Sequence, residues 1–235
     1  MKTPISEDVL RRGRELITHL QENPEDGAAY NELLSKFFQG FPVAFLGELL
    51  GQPHDAITAG ALFIAEELGS GAFPVIDDII SHTANANPRI RSSAFAAVCR
   101  VCKGEGKALV HVCRGVLDSD PHCRKTAMLL MMRVPDVWLK GALGMIGNAG
   151  VDRDIREGLT GLLREPSQDP SAVQALILDQ CPLIRRFGVI AAGRMGKLYP
   201  HLLEMAAKSE DADIAMCATE QQRFIALRQR REKGS

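Results

Sequence analysis

Residues 87–102 read NPRIRSSAFAAVCRVC. A proline is followed three residues later by an arginine, then three later by a small residue, then by apolar residues at helical spacing. Proline suits the first turn of a helix, where its missing N–H breaks no hydrogen bond. The same order returns along the chain: PHDAITAGALFIAEEL begins at Pro53, PHCRKTAMLLMMRV at Pro121, RDIREGLTGLLRE at Arg153, PLIRRFGVIAAGRM at Pro182 and ADIAMCATEQQRFIAL at Ala212. Counted from Pro53 through Pro88, the starts lie 35, 33, 32, 29 and 30 residues apart. Periods of this length belong to repeat architectures.

Each part of the repeat has a physical reason. Asp120, Asp152 and Asp211 stand before the helix starts, where a carboxylate caps free backbone N–H groups. The small residues Ala59, Ala94, Ala127, Gly188 and Ala218 let a neighbouring helix come close, and the apolar residues form the buried stripe. Partner helices lie between, beginning at Pro42, Pro74, Ala108, Asp136, Pro170 and Pro200. Each unit is thus an antiparallel helix pair. One pair cannot bury both its faces, whereas stacked pairs can, at about 1.5–3 kcal/mol for each buried Leu, Ile or Val. Residues 1–39 read as an N-terminal helical cap, 40–228 as the repeats and 229–235 as a charged tail.

The pattern resembles the HEAT-repeat family, and the residues that carry the resemblance are Arg91, Arg124, Arg156 and Arg185 with the small residue three further on. Three departures stand out. Ala56 and Ala215 replace the arginine in the first and last pairs, and Leu159 stands where the fourth pair needs a small residue. The resemblance implies an all-α, right-handed α-solenoid of about six pairs, and non-enzymatic protein binding on the face made by the second helices. A bacterial immunity protein that neutralises a toxin is one such use. HEAT-like DNA glycosylases and HEAT-like bilin lyases are the alternatives. The first needs aromatics around an exposed base, and Trp138, Tyr30 and Tyr199 all fall outside the second helices.

Composition agrees with helix. Aromatics make up 5%, against 46% hydrophobic and 24% charged residues, and the abundant Leu, Ala, Met, Arg and Glu are strong helix formers. The net charge of −1 hides an asymmetry: residues 1–80 carry 13 acids and 5 bases (−8), residues 81–235 carry 16 acids and 23 bases (+7). A general nucleic-acid binder is more often basic throughout. The charge-free runs Phe37–Gly47 and Gly141–Val151 are about half the ~20 residues a bilayer crossing needs. The start of the chain shows no apolar signal-peptide core, so no membrane partner and a cytoplasmic location are expected.

Three kinds of chemistry can be weighed. Cys99, Cys102, His111, Cys113, His122 and Cys123 are zinc-type ligands. Cys99 and Cys102, however, fall on a helix rather than a knuckle turn, so core packing by reduced thiols is expected, with no metal and no cofactor. Gly188 and Gly193 fail as a phosphate loop, because no strand precedes them and Arg194 stands where lysine is needed. No base–nucleophile signature surrounds any Ser or Cys, so no catalytic residue is expected.

The arginines divide into two sets. Arg91, Arg124, Arg156 and Arg185 are expected to bridge to acids of adjacent units as an inter-repeat ladder. Arg100, Arg133, Arg164, Arg194 and Arg223 recur near the ends of successive second helices, where a cation offsets the helix dipole. Stacked at about 8–10 Å, they form a basic stripe for a partner with an acidic surface or, less favoured, for nucleic acid. Lys125 and Arg186 extend it.

Overall fold

In a computed structural model, residues 5–164 and 169–233 are described. The chain divides into two compact units, Met1–Lys103 and Gly104–Ser235.

The first unit opens with α1 (Glu7–Glu22) and α2 (Gly27–Phe38). Ser6 and Asp26 cap them, Arg12 joins them by a two-pronged bond to Glu32 (2.7 and 2.9 Å), and α2 packs on the first repeat pair. That pair is α3 (Ala44–Leu50) and α4 (Asp55–Leu68); the next is α5 (Ile76–Ser81) and α6 (Pro88–Val101). The second helices α4 and α6 stack directly on each other. The stretch 55–84 is long and apolar enough by composition to cross a membrane. Gly69, at φ +52°, turns the chain midway through it, and Ile57, Ala61, Leu62, Ile64 and Ala65 are buried.

The second unit holds four pairs: α7 (Gly106–Arg114) with α8 (Pro121–Met131), α9 (Asp136–Met145) with α10 (Gly150–Leu163), α11 (Pro170–Ile177) with α12 (Pro182–Met195), and α13 (Pro200–Ala206) with α14 (Ala212–Lys233). First helices α7 and α9 pack together, as do second helices α10, α12 and α14 in order. Helix α12 is the centre. Its apolar residues from Leu183 to Met195 are buried, and only Pro182 and the partly exposed Arg185, Arg186 and Arg194 reach solvent. A Cβ at Gly188 would sit 2.6 Å from the backbone nitrogen of Ile177, and one at Gly158 would enter the Phe187 ring. The glycine of the failed phosphate loop thus permits close helix approach.

Four second helices begin at the residue that the repeat marks, and two do not. The first starts at Asp55, not Pro53, so its small contact residue is the buried Ala61; Ala59 is exposed. The fourth starts at Gly150, one turn before Arg153, so Asp152 lies inside the helix rather than capping it. Leu159 is buried there, and the preceding Gly158 provides the close approach. Helix α14 continues to Lys233, through most of the stretch read as a charged tail.

One placement departs from neighbour-on-neighbour stacking. Helix α8 packs not chiefly on α10, the next second helix, but on α12 and α14.

Candidate partner-binding surface

The anchor arginines act inside their own pairs. Arg91 Nη1 donates to the carbonyls of Asn85 and Ala86 (2.8 and 3.1 Å). Arg124 Nη1 does so to Asp118 and Ser119 (2.8 and 3.0 Å), and Arg185 Nη1 to Asp179 and Gln180 (both 3.0 Å). In all three the acceptors lie six and five residues back, in the turn between the two helices. Arg156 serves a longer turn, donating to the carbonyls of Ile146 and Gly147. In the first pair, Thr58 Oγ1 reaches the carbonyl six residues back, at Gln52 (3.4 Å). The side chains of Asn85, Asp118 and Asp179 brace the same turns by accepting from the N–H two residues on, an Asx-turn. What the four arginines share is therefore a clamp on the turn, where a ladder to adjacent units was expected. Arg124 also donates to Asp213 (2.6 Å), which belongs to the non-adjacent sixth pair.

That contact belongs to an ionic cluster holding α8, α12 and α14 together. Arg186, expected to point outward, turns inward. Its Nη1 donates to the Val116 carbonyl (2.7 Å) and its Nη2 lies 3.5 Å from Asp213. Burial pulls its pKa down, against the opposing pull of Asp211 and Asp213, and its Nε is buried without a hydrogen-bond partner. Lys125 pairs with Glu220 at 3.0 Å. Arg194 also turns inward, donating to the carbonyls of Met131 and Val134 (both 2.9 Å) and to Asp136; burial lowers its pKa. Guanidiniums suit such work because one planar fork satisfies several acceptors at once.

Arg100, Arg133, Arg164 and Arg223 are exposed. Arg100, in the first unit, is close enough to Glu66 to oppose the rise that burial gives that carboxyl's pKa. Arg164 borders a hollow of about 480 Å³ together with Arg194, Asp136 and Asp169. Arg133 reaches α14, the helix that carries Arg223. The Arg133 guanidinium sits 4.6 Å over the Phe224 ring. Arg223 lines an open groove of about 720 Å³ with Met216, Thr219, Glu220, Phe224 and Leu227.

Met216, Phe224 and Leu227 are 41%, 40% and 49% exposed. The repeat pattern missed these three. Their signal is a second apolar stripe on α14, beside the buried one at Ile214, Cys217 and Ala218. Methionine and an aromatic ring, flanked by arginine, are the side chains enriched at protein interfaces, and methionine adapts to varied apolar partners.

The residues weighed for other chemistry sit elsewhere. None of the six cysteines is in a disulfide, and burial pushes the pKa of Cys113 and Cys217 up to about 12, away from thiolate chemistry. Among the described residues, no three His, Cys, Asp or Glu side chains gather as metal ligands. Tyr30 is buried and donates to the Pro24 and Ala56 carbonyls. Trp138 packs against Gly104. Tyr199 meets His201 edge-on, with ring centroids 6.1 Å apart.

No protein-family model and no curated protein matches the chain. Among solved structures it is similar to an engineered protein (13% identity, 92% of this chain and 95% of that one, TM-score 0.47). It is also similar to an archaeal HEAT-like repeats protein from Thermococcus onnurineus NA1 (12%, 96% and 98%, 0.41) and to a designed armadillo repeat protein (12%, 94% and 94%, 0.42). The chain has an all-α, HEAT/armadillo-like helical-repeat fold. Its own helix pairs carry that statement: hairpins follow one another along the chain, with second helix on second at α4–α6, α10–α12 and α12–α14 and first on first at α7–α9.

Proposed function

We propose that this chain is a non-enzymatic scaffold that binds another protein through the groove on α14. The observation that supports the reading is the exposed stripe Met216–Phe224–Leu227 flanked by Arg223 and Arg133. Apolar area supplies affinity there, and the two arginines select a partner that brings carboxylates. A toxin with an acidic face is one partner of that description.

A phosphate backbone fits the groove less well. It offers nothing to three exposed apolar side chains. Moreover, Arg194 of the basic stripe, and Lys125 and Arg186 that extend it, are engaged inside the unit. Without Arg194 the full salt dependence of a five-arginine phosphate contact is not expected.

The test is photo-crosslinking. A benzophenone amino acid replaces Leu227 in the chain expressed in its source cells. One discrete protein adduct is expected, and it disappears when Arg223→Glu is added. No adduct beyond that from the same probe at the exposed Glu22 would overturn the reading.

A further inference from the structure

The exposed stripe of α14 has an internal symmetry. Met216, Glu220, Arg223 and Leu227 follow one another at intervals of four, three and four residues, the spacing that keeps one helix seam facing a partner helix. Reflected about the midpoint between Gln221 and Gln222, Met216 exchanges with Leu227, Thr219 with Phe224, and Glu220 with Arg223. An antiparallel copy of this helix therefore sets apolar against apolar at both ends of the stripe and opposite charges in the middle. Each contact occurs twice, as a two-fold interface requires.

The side chains are placed for this. Met216 and Leu227 are exposed at the two ends of the groove. Glu220 is half exposed and pairs with Lys125 through Oε2 (3.0 Å). Arg223 is exposed, and Arg133 lies against the Phe224 ring at the groove's edge. A register that set Glu220 or Arg223 against its own copy would instead oppose like charges.

We infer that the protein seated on this groove is a second copy of the chain, its α14 antiparallel to the first, with Glu220 of each copy paired to Arg223 of the other. The inference rests on the reading of the groove as a docking surface and names its occupant. One helix pair covers less than a standard interface, so the dimer belongs to the weak, concentration-dependent class.

Sedimentation equilibrium of the full chain provides the test. The average mass should rise from 25.6 kDa towards twice that value as concentration approaches about 100 µM. Glu220→Arg and Arg223→Glu should each weaken association at least about tenfold, with helical content preserved to exclude unfolding; Glu220→Arg also gives up the Lys125 pair and melts lower, whereas Arg223→Glu melts as wild type does. Mixed in equal amounts, these two variants should associate again, because one presents two arginines and the other two glutamates across the same axis.

Three results would each overturn the inference: a wild-type chain that stays monomeric, single variants that associate as wild type does, or a mixture that fails to recover. A monomeric wild type whose Leu227 probe still captures another protein would remove the second copy and leave the docking surface. Capture of nothing would remove both.

Discussion

The two units are built from the same kind of hairpin and hold their helices by different means. In the first, α4 stacks on α6, and a run of aromatic rings (Phe37, Phe41 and Phe45, with centroids 5.3 and 4.8 Å apart) fills the space near the cap. Its ion pair between helices, Arg12 with Glu32, is 41% exposed on both sides. In the second, α8 is drawn onto α12 and α14, where Arg124 and Arg186 share Asp213 inside the unit. The repeat dictates the hairpin; what hairpins do with one another depends on the side chains left on their outer faces. Apolar faces give direct stacking. Two guanidiniums around one carboxylate give a specific seat, because the buried charges tolerate few other arrangements.

The most severe way to break this contrast is Asp213→Ala. It leaves two guanidiniums in a mostly buried site without their carboxylate, and a loss of about 3–5 kcal/mol from the second unit is expected. Amide hydrogen exchange should quicken in α8, α12 and α14 and stay unchanged in α4 and α6. Equal loss of protection in both units, or a cost below about 1 kcal/mol, would mean that the cluster does not hold the helices.

A smaller effect sharpens the comparison, since the turn clamp of the first pair is made by a threonine and those of the later pairs by an arginine. Arg185→Ala removes charged donors from two carbonyls and should cost about 1.5–3 kcal/mol in chemical denaturation. Thr58→Val removes one neutral donor and should cost about 0.5–1.5 kcal/mol. Equal costs would show that charge adds nothing to the clamp. Smallest of all, Arg133→Ala forfeits an exposed contact with the Phe224 ring, worth about 0.5–1 kcal/mol. It is the control for the exposed edge of the second unit.

Local features were legible because their causes lie within a few residues. The helix starts at Pro88, Pro121, Pro182 and Ala212, the caps at Asp120 and Asp211, and the small contact residues Ala94, Ala127, Gly188 and Ala218 all follow from backbone rules. The turn clamp was legible too, since Asn85, Asp118 and Asp179 each stand six residues before an arginine. The spacing is plain once the arginine is read as reaching back along its own hairpin instead of across to the next one. Register failed at Pro53 and Arg153, where helices start two residues later and three earlier than the repeat marks.

The inward turn of Arg186 and Arg194 and the seat of α8 were not legible. Arg124 and Asp213 are 89 residues apart, and no period of about thirty residues carries information about which distant carboxylate a guanidinium will meet. The α14 groove stood between these cases. Arg223 was placed on the outer face by its spacing, whereas the neighbouring apolar stripe was obscured by the buried one beside it.

The seat of α8 is the central claim, and Lys125 reports on it directly because its Nζ lies 3.0 Å from Glu220. Carbodiimide treatment of the dilute chain should join Lys125 to Glu220 within one molecule, identified as a cross-linked peptide by mass spectrometry. A bond from Lys125 to Asp154 or Glu157 on α10 instead would return α8 to ordinary neighbour-on-neighbour stacking and contradict the account.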